Sequence, residues 1–290
     1  MVLPELIGSS PVLTATAVII LSLLIGSFLN VVILRYPIMM FRGWKRDCAE
    51  MAESLPAHPA LEDLSRPYNL IKPDSHCPKC HAPVRAWQNI PLLSWILLRG
   101  KCASCGARIG LRYPLVELTT ALLSAALLLV YPWGWQLAAM LLFTWLLISM
   151  SVIDIDHQLL PDPLTLGLLW LGLLVNTQGL FTDLHSAVYG AVAGYGALWS
   201  VFWIFKLVTG KEGMGYGDFK LLAALGAWLG IQSLPLIILL SSVVGAIAGI
   251  AGIIILGRDK NLPIPFGPYL AAAGWIAAMW GNDIIRWYLG

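Results

Sequence analysis

Charged side chains are scarce in this sequence: Lys, Arg, Asp and Glu make up 12% of its 290 residues, whereas hydrophobic residues make up 58%. Soluble globular domains carry about 25% charged residues, so the composition excludes an ordinary soluble enzyme or binding module. Residues 1–11 contain no Lys or Arg, and no small-residue cleavage site follows the first apolar run, which excludes a cleaved secretory signal. We therefore expect a membrane protein that keeps its first apolar segment.

Long apolar runs recur along the chain. Eight of them approach the roughly 20 residues that a helix needs to cross a hydrocarbon core about 30 Å thick. They lie near residues 12–34, 114–133, 135–153, 163–181, 187–208, 218–233, 234–256 and 266–288. Only Gln232, Ser233 and Pro235 mark a turn between the sixth and seventh runs, so seven spans remain an alternative. The pattern predicts an all-α polytopic membrane protein with about eight transmembrane helices.

The positions of Lys and Arg predict the orientation, because these residues concentrate in cytoplasmic loops. Twelve of the 18 lie between Arg35 and Arg112. If that segment is cytoplasmic, eight alternating spans place five more on the same side, namely Lys206, Lys211, Lys220, Arg258 and Lys260. Only Arg286 falls outside the pattern. The distribution therefore favours an even number of spans with both termini on the periplasmic side.

The change in composition along the chain predicts three regions. Residues 1–34 form the first transmembrane helix, residues 35–113 form a cytoplasmic loop, and residues 114–290 form a seven-helix membrane domain. The loop carries most of the charge. Because it is too short to bury a large core, it needs an additional staple.

Four cysteines in this loop have the spacing of a zinc site. Cys77 and Cys80 form one CxxC pair, Cys102 and Cys105 form a second, and 21 residues separate the pairs. Each pair places two thiolates within reach of a common ion, as in tetrahedral structural zinc sites. Disulfides are the alternative, but a cytoplasmic loop lies in a reducing compartment. A closed shell of four thiolates leaves no open position, so the predicted zinc is structural rather than catalytic.

Three further residues of the loop are of types that bind metals. Cys48 has no partner in the CxxC pattern. His76 and His81 flank the first CxxC pair and are alternative ligands. Because four thiolates already complete the shell, we expect both histidines to be solvated loop residues.

Acidic residues in apolar spans are a sharper signal, because ionisable groups there are unfavourable and usually functional. Six lie in the spans or at their edges: Glu117, Asp154, Asp156, Asp162, Asp218 and Asp283. Asp162 precedes Pro163 and an apolar run, which predicts a structural role as a helix N-cap. Asp283 is expected to be solvated. Glu117 lies inside the second span and needs a partner.

Topology brings Asp154 and Asp218 together. Asp154 ends the third predicted span and Asp218 begins the sixth on the same side, so the two carboxyls share one depth. Two neighbouring carboxyls cannot both ionise easily and so share a proton: one activates a water while the other polarises a scissile carbonyl. The alternating glycines of residues 213–217 allow close approach of backbone or substrate before Asp218. A phosphate loop is excluded, because no strand precedes the segment and no Gly-Lys-Ser/Thr ends it.

These segments resemble one family. Gly215-Tyr216-Gly217-Asp218 resembles the GxGD signature of intramembrane aspartyl proteases. Further segments resemble bacterial type IV prepilin leader peptidases over nearly the whole chain: residues 26–31, 153–162, 208–222 and 263–269, and both CxxC pairs. The resemblance implies that Asp154 and Asp218 are the catalytic acids. The cysteine loop favours the bacterial, bifunctional type over the shorter archaeal relatives.

The resemblance also implies substrates, a cofactor and a location. Such an enzyme cleaves the basic leader of type IV prepilins and type II secretion pseudopilins after a glycine. It then N-methylates the new N-terminal residue with S-adenosylmethionine. It lies among the lipids of the bacterial inner membrane with its zinc loop and its aspartates on the cytoplasmic side, and it binds no nucleic acid. The sequence assigns no residue to S-adenosylmethionine.

Several other interpretations stay open. The acids Asp47, Glu50, Glu53, Glu62 and Asp63 either bind the basic leader or, as surface composition favours, form a solvated face. A proton- or cation-coupled transporter that uses Asp154 and Asp218 is the main alternative function. A membrane-anchored zinc protein leaves the further spans unexplained, and a methyltransferase without peptidase activity leaves the paired aspartates unexplained.

Overall fold

A computed structural model describes residues 10–47, 55, 58–211, 213–257 and 264–289. Within these ranges the regular structure is helical and contains no β-strand beyond two isolated bridges. The predicted fold class, an all-α polytopic membrane protein, is confirmed. Five residues named in the predictions above lie outside the described residues: Cys48, Glu50, Glu53, Arg258 and Lys260.

Ten α-helices lie in the described part of the chain. They are α1 (Pro11–Asp47), α2 (Pro59–Glu62), α3 (Leu93–Leu97), α4 (Arg112–Leu127), α5 (Trp135–His157), α6 (Asp162–Asn176), α7 (Leu184–Thr209), α8 (Tyr216–Leu229), α9 (Leu234–Leu256) and α10 (Gly267–Leu289). Short 3₁₀ turns occupy Ala86–Asn89 and Ile231–Ser233. Each apolar run of the sequence falls on one of these helices.

Four of the described helical segments are both long and apolar enough to cross a membrane. They are Pro11–Asp47, Trp135–His157, Leu184–Thr209 and Ile231–Ile255. Asp162–Asn176 is apolar but shorter. The count of eight crossings therefore stays a prediction.

Local signals set the ends of the helices around the aspartates. Helix α5 ends where Gln158 adopts a left-handed conformation with φ 51° and donates its N–H to the Asp154 carbonyl. Asp183 is the N-cap of helix α7, and its side chain accepts from the Ser186 N–H at 2.9 Å. Helix α8 ends at Leu229, earlier than the apolar run predicts, because Gly230 has φ 81° and turns the chain into the 3₁₀ turn.

The chain forms two compact units, Met1–Leu129 and Val130–Gly290. In the first unit, α1 packs along α4. A Cβ on Gly26 would lie 2.8 Å from the Cα of Glu117, so the helices approach closely only because residue 26 is glycine. The Asn30 side chain donates to the Tyr113 carbonyl at 3.1 Å across the same contact. Glycine and a polar side chain together therefore fix this pair of helices.

Helix α8 is the central element of the second unit. It packs against α6, α7 and α10, and its residues from Leu221 to Trp228 are all buried. Gly190 of α7 and Gly226 of α8 let the two backbones meet, since a Cβ on Gly190 would lie 2.4 Å from the Gly226 carbonyl oxygen. The Trp228 indole donates to the Leu168 carbonyl of α6 at 2.8 Å. A helix that is apolar all round is thus surrounded by protein, with Asp218 in its first turn.

Candidate functional site

Asp154 lies in the last turn of α5 and is buried, with 5% of its surface exposed. Its Oδ2 accepts a hydrogen bond from the backbone N–H of Gly267 at 3.0 Å. Gly267 is the first residue of α10, so the carboxylate faces the N-terminus of a 23-residue helix. Peptide dipoles at a helix N-terminus favour a negative charge, which makes this a suitable place for a buried carboxylate.

Asp218 is the third residue of α8 and is 7% exposed. Gly215 precedes the helix as its N-cap, and its carbonyl accepts from the Asp218 N–H at 3.2 Å. The carboxyl lies close enough to Asp154 for the two charges to interact. The structure thus brings together the two acids that topology placed at one depth.

Leu160 connects the segments that carry the two acids. It follows α5 and is buried. A Cβ on Gly217, the residue before Asp218, would lie 2.7 Å from the Leu160 Cβ, and a Cβ on Gly267 would lie 3.1 Å from its Cδ2. The Leu160 side chain therefore fills the space next to both glycines. This contact is the physical reason for glycine at position 217 of the GxGD segment.

Asp162 does not have the role that the sequence predicted. The N-cap of α6 is Pro161, and Asp162 is the first helical residue. Its Oδ1 instead contacts the Lys220 Nζ at 2.6 Å. The N-cap prediction was wrong because an ion pair with α8 holds the carboxylate away from the backbone amides.

The other acids of the apolar spans have surroundings of their own. Glu117 is buried, and its Oε2 accepts from the backbone N–H of Leu92 at 2.8 Å. This amide is a partner of the kind that an acid inside an apolar span was expected to need. Asp283 is exposed and pairs with Arg286 at 2.9 Å, in agreement with its predicted solvation. Asp156 is exposed near the end of α5.

The four cysteines form one cluster. Their Sγ atoms all lie within 4.8 Å of one another. The Cys77 and Cys105 sulfurs are 3.8 Å apart, the Cys80 and Cys102 sulfurs are 4.0 Å apart, and all four thiols are free. Four thiols at these distances suit a tetrahedral zinc ion, so the residues fit the predicted metal.

The two CxxC segments have the same backbone turn. In each, the N–H of the first cysteine donates to the carbonyl five residues later, of Ala82 in one and Ala107 in the other. In each, the residue after the second cysteine has positive φ, 57° at His81 and 70° at Gly106. The amides of Cys80 and Lys79 donate to the Cys77 sulfur and lower the pKa of this thiol to about 6. Backbone amides therefore favour the thiolate that a metal binds.

Gly267 and Leu160 are site residues that the sequence reasoning missed. Residues 263–269 were among the segments that resemble leader peptidases, but the resemblance gave no role to Gly267. The only signal was a glycine between Pro265 and Pro268 at the start of an apolar run. That pattern predicts a helix start and does not predict a contact with a residue 113 positions earlier.

Two family profiles match the chain. Residues 20–131 match the bacterial peptidase A24 N-terminal domain, and residues 141–250 match the type IV leader peptidase family. Together the two matches cover most of the sequence, including all four cysteines and both aspartates.

Similar proteins extend this likeness to the full length. The chain is 58% identical to the prepilin leader peptidase/N-methyltransferase of Pseudomonas aeruginosa, over 100% of this chain and 98% of that protein. It is 57% identical to the protein of the same name from Stutzerimonas stutzeri, over 98% and 97%. It is 50% identical to that from Neisseria gonorrhoeae, over 93% of each. No solved structure matches the chain. With these relatives, and with two buried acids and four clustered thiols in the matched segments, the chain belongs to the type IV leader peptidase family.

Proposed function

We propose that this protein is a membrane-embedded peptidase that removes the leader peptide of type IV prepilins and then N-methylates the new N-terminus. The protein belongs to a peptidase family, and relatives at 50–58% identity carry both activities in their name. The transporter alternative has no support among these relatives. The structural observation that carries the peptidase activity is the meeting of Asp154 and Asp218 in one buried site.

The two aspartates perform the hydrolysis as a pair. The ionised carboxyl takes a proton from a water molecule as the water oxygen attacks the scissile carbonyl carbon. The protonated carboxyl donates to the carbonyl oxygen, so that charge does not accumulate there. Collapse of the tetrahedral intermediate breaks the C–N bond, and the amine leaves with a proton from the pair. Burial of both acids limits their contact with water and strengthens their interaction.

The leader cleaved by such a pair is expected to be basic and to end at a glycine. Small residues at the cut let the substrate backbone approach the buried acids. Type II secretion pseudopilins, which carry leaders of the same kind, are the second class of substrate that we propose.

The four-cysteine cluster holds a structural zinc ion through Cys77, Cys80, Cys102 and Cys105. The ion supplies the cross-link that a short, charged loop needs in place of a large core. Four thiolates complete its coordination, so it takes no part in hydrolysis.

Methylation uses S-adenosylmethionine as the methyl donor and acts on an amine that exists only after cleavage. The methyl-transfer site and the aspartate site are therefore free to be physically distinct. The first helix and the cysteine loop contain neither of the proposed catalytic aspartates. We place methyl transfer in this part of the chain.

The enzyme lies in the bacterial inner membrane with the cysteine loop and both aspartates on the cytoplasmic side. The asymmetric distribution of Lys and Arg supports this orientation. The reducing cytoplasm keeps the four thiols free for the metal.

The decisive experiment is incubation of the purified protein with a prepilin and labelled S-adenosylmethionine. We expect a shortened pilin that carries the label on its new N-terminus. A pilin that remains full length in the presence of folded, zinc-loaded protein would contradict the peptidase function, and a shortened but unlabelled pilin would contradict the methylation.

A further inference from the structure

The peptidase site has a third structural component besides the two aspartate segments, namely the start of helix α10. The Gly267 N–H donates to the Asp154 Oδ2 at 3.0 Å, and the acceptor is buried. This is a fixed backbone donor on one of the two oxygens of the carboxyl. It restricts how that carboxyl can turn.

Glycine at position 267 is required by the same contact. A Cβ at this position would lie 2.7 Å from the Asp154 Oδ2, closer than real Cβ atoms come to oxygen, and within 3.2 Å of the methyl groups of Leu160. All these atoms are at the ends of flexible side chains. A methyl group at position 267 can therefore be accommodated without a backbone shift, but only if the Asp154 carboxyl leaves its position.

Helix α10 is held in register against α5 at a second point. The Trp275 indole N–H donates to the Thr144 hydroxyl at 3.1 Å, and Thr144 is fully buried. From Asp154 back to Thr144 is ten residues of α5, and from Gly267 on to Trp275 is eight residues of α10. At 1.5 Å per residue these lengths are about 15 Å and about 12 Å, which suits two antiparallel helices. The Gly267 amide is thus placed by the packing of a whole helix.

Helix α9 supports the start of α10 from another side. A Cβ on Gly245 would lie 3.2 Å from the Tyr269 ring and 3.6 Å from the Phe266 ring. Phe266 and Tyr269, which flank Gly267 and Pro268, are therefore packed against α9. This leaves little freedom for the first turn of α10 to move away from Asp154.

We propose that Gly267 is a positioning residue of the peptidase site. Its N–H holds the Asp154 carboxyl in the orientation that catalysis requires, and its lack of a side chain keeps that place open. This inference rests on the proposed peptidase function, because it concerns the geometry of one of the two proposed catalytic acids.

Three glycines of α10 give a matched test. Gly267, Gly274 and Gly281 follow one another at intervals of seven residues, which is about two helical turns, and so lie on one face. A Cβ on Gly274 would lie 2.5 Å from the Leu225 Cδ2, also the end of a flexible side chain but away from the aspartates. A Cβ on Gly281 would make only ordinary contacts, at 3.7 Å or more.

The experiment measures kcat and KM for prepilin cleavage by Gly267→Ala, Gly274→Ala and Gly281→Ala, with Asp154→Asn in parallel. For Gly267→Ala we expect kcat to fall about 100-fold, the order reported for a reacting group misplaced by 1 Å, with KM within about two-fold of wild type. Gly274→Ala and Gly281→Ala should keep kcat, and the thermal unfolding midpoint of Gly267→Ala should be no lower than that of Gly274→Ala.

Each contrary outcome overturns a distinct claim. If Gly267→Ala cleaves as fast as Gly281→Ala while Asp154→Asn is inactive, the positioning role is refuted and the peptidase function stands. An equal loss of kcat in Gly274→Ala, or unfolding of Gly267→Ala, means that position 267 acts through helix packing and also refutes the proposal. An active Asp154→Asn instead refutes the paired-acid function itself.

Discussion

Lys220 lies two residues after Asp218, and its ammonium group contacts the carboxylate of Asp162 at 2.6 Å. The ion pair joins the first turn of α8 to the first residue of α6. It therefore connects α8, which carries Asp218, to the chain that follows α5, which carries Asp154.

We expect this ion pair to contribute little to stability or to cleavage. Its carboxylate is 56% exposed and its ammonium 24% exposed, and exposed pairs contribute about 1 kcal/mol at most. Asp162→Asn should therefore keep cleavage within about five-fold of wild type. The double variant Asp162→Lys with Lys220→Asp should recover the cleavage activity that Asp162→Lys alone loses. A complete loss of cleavage in Asp162→Asn would show that Asp162 acts in the chemistry.

The paired-acid mechanism predicts that Asp154→Asn and Asp218→Asn each abolish cleavage. An amide neither accepts the proton of water nor donates one to a carbonyl as an acid, so the loss should be about 10³-fold or more. The measurement is leader cleavage by each variant after purification from membranes, where the variant should accumulate to the wild-type level. Asp283→Asn is the control, because that acid is exposed and pairs with Arg286 three residues later. Near-wild-type turnover in either variant at 154 or 218 would remove the mechanism.

The cysteine cluster predicts about one equivalent of zinc per chain. Elemental analysis of the purified protein should show it, and Cys77→Ser should lower it, since the remaining three thiols leave the tetrahedral shell incomplete. Cys48→Ser, which changes the cysteine outside the two CxxC pairs, should keep the metal. Metal-free protein with two intact disulfides would contradict this prediction.

The separation of the two activities predicts that Asp218→Asn still methylates a pre-cleaved pilin. Methyl transfer to an existing amine needs no hydrolytic acid pair, so the variant should transfer label at a rate within about two-fold of wild type. Damage to the cysteine loop, as in Cys77→Ser, should impair methylation at least as much as cleavage. If folded Asp218→Asn transfers no methyl group, the two activities share one site.

The sequence predicted the parts of the site that depend on order along the chain. The proximity of Asp154 and Asp218 was expected from the order of the spans, and the cysteine cluster was expected from two equal spacings. Both arrangements are geometric consequences of position in the sequence. The family to which the chain belongs was recognisable from the same segments.

The parts that sequence could not predict are contacts between distant segments with no periodic signal. The Gly267 N–H belongs to the backbone, which every residue has, so its bond to Asp154 leaves no mark on composition or period. Asp162 precedes a proline, a pattern that predicted an N-cap. Its carboxylate instead pairs with Lys220, which lies 58 positions later. Hydropathy ended the first span at Leu34, but α1 continues to Asp47, because hydropathy reports the end of the apolar run rather than the end of the helix.

Helix α8 has 14 residues and is about 21 Å long, shorter than the hydrocarbon core of about 30 Å. Its buried residues face α6, α7 and α10, so neighbouring helices rather than acyl chains surround it. Helices α7 and α9 have little of their surface buried within the protein, so we expect a thicker or thinner bilayer to act on these helices first. We therefore expect protein packing, rather than bilayer thickness, to set the position of Asp218 at the start of α8.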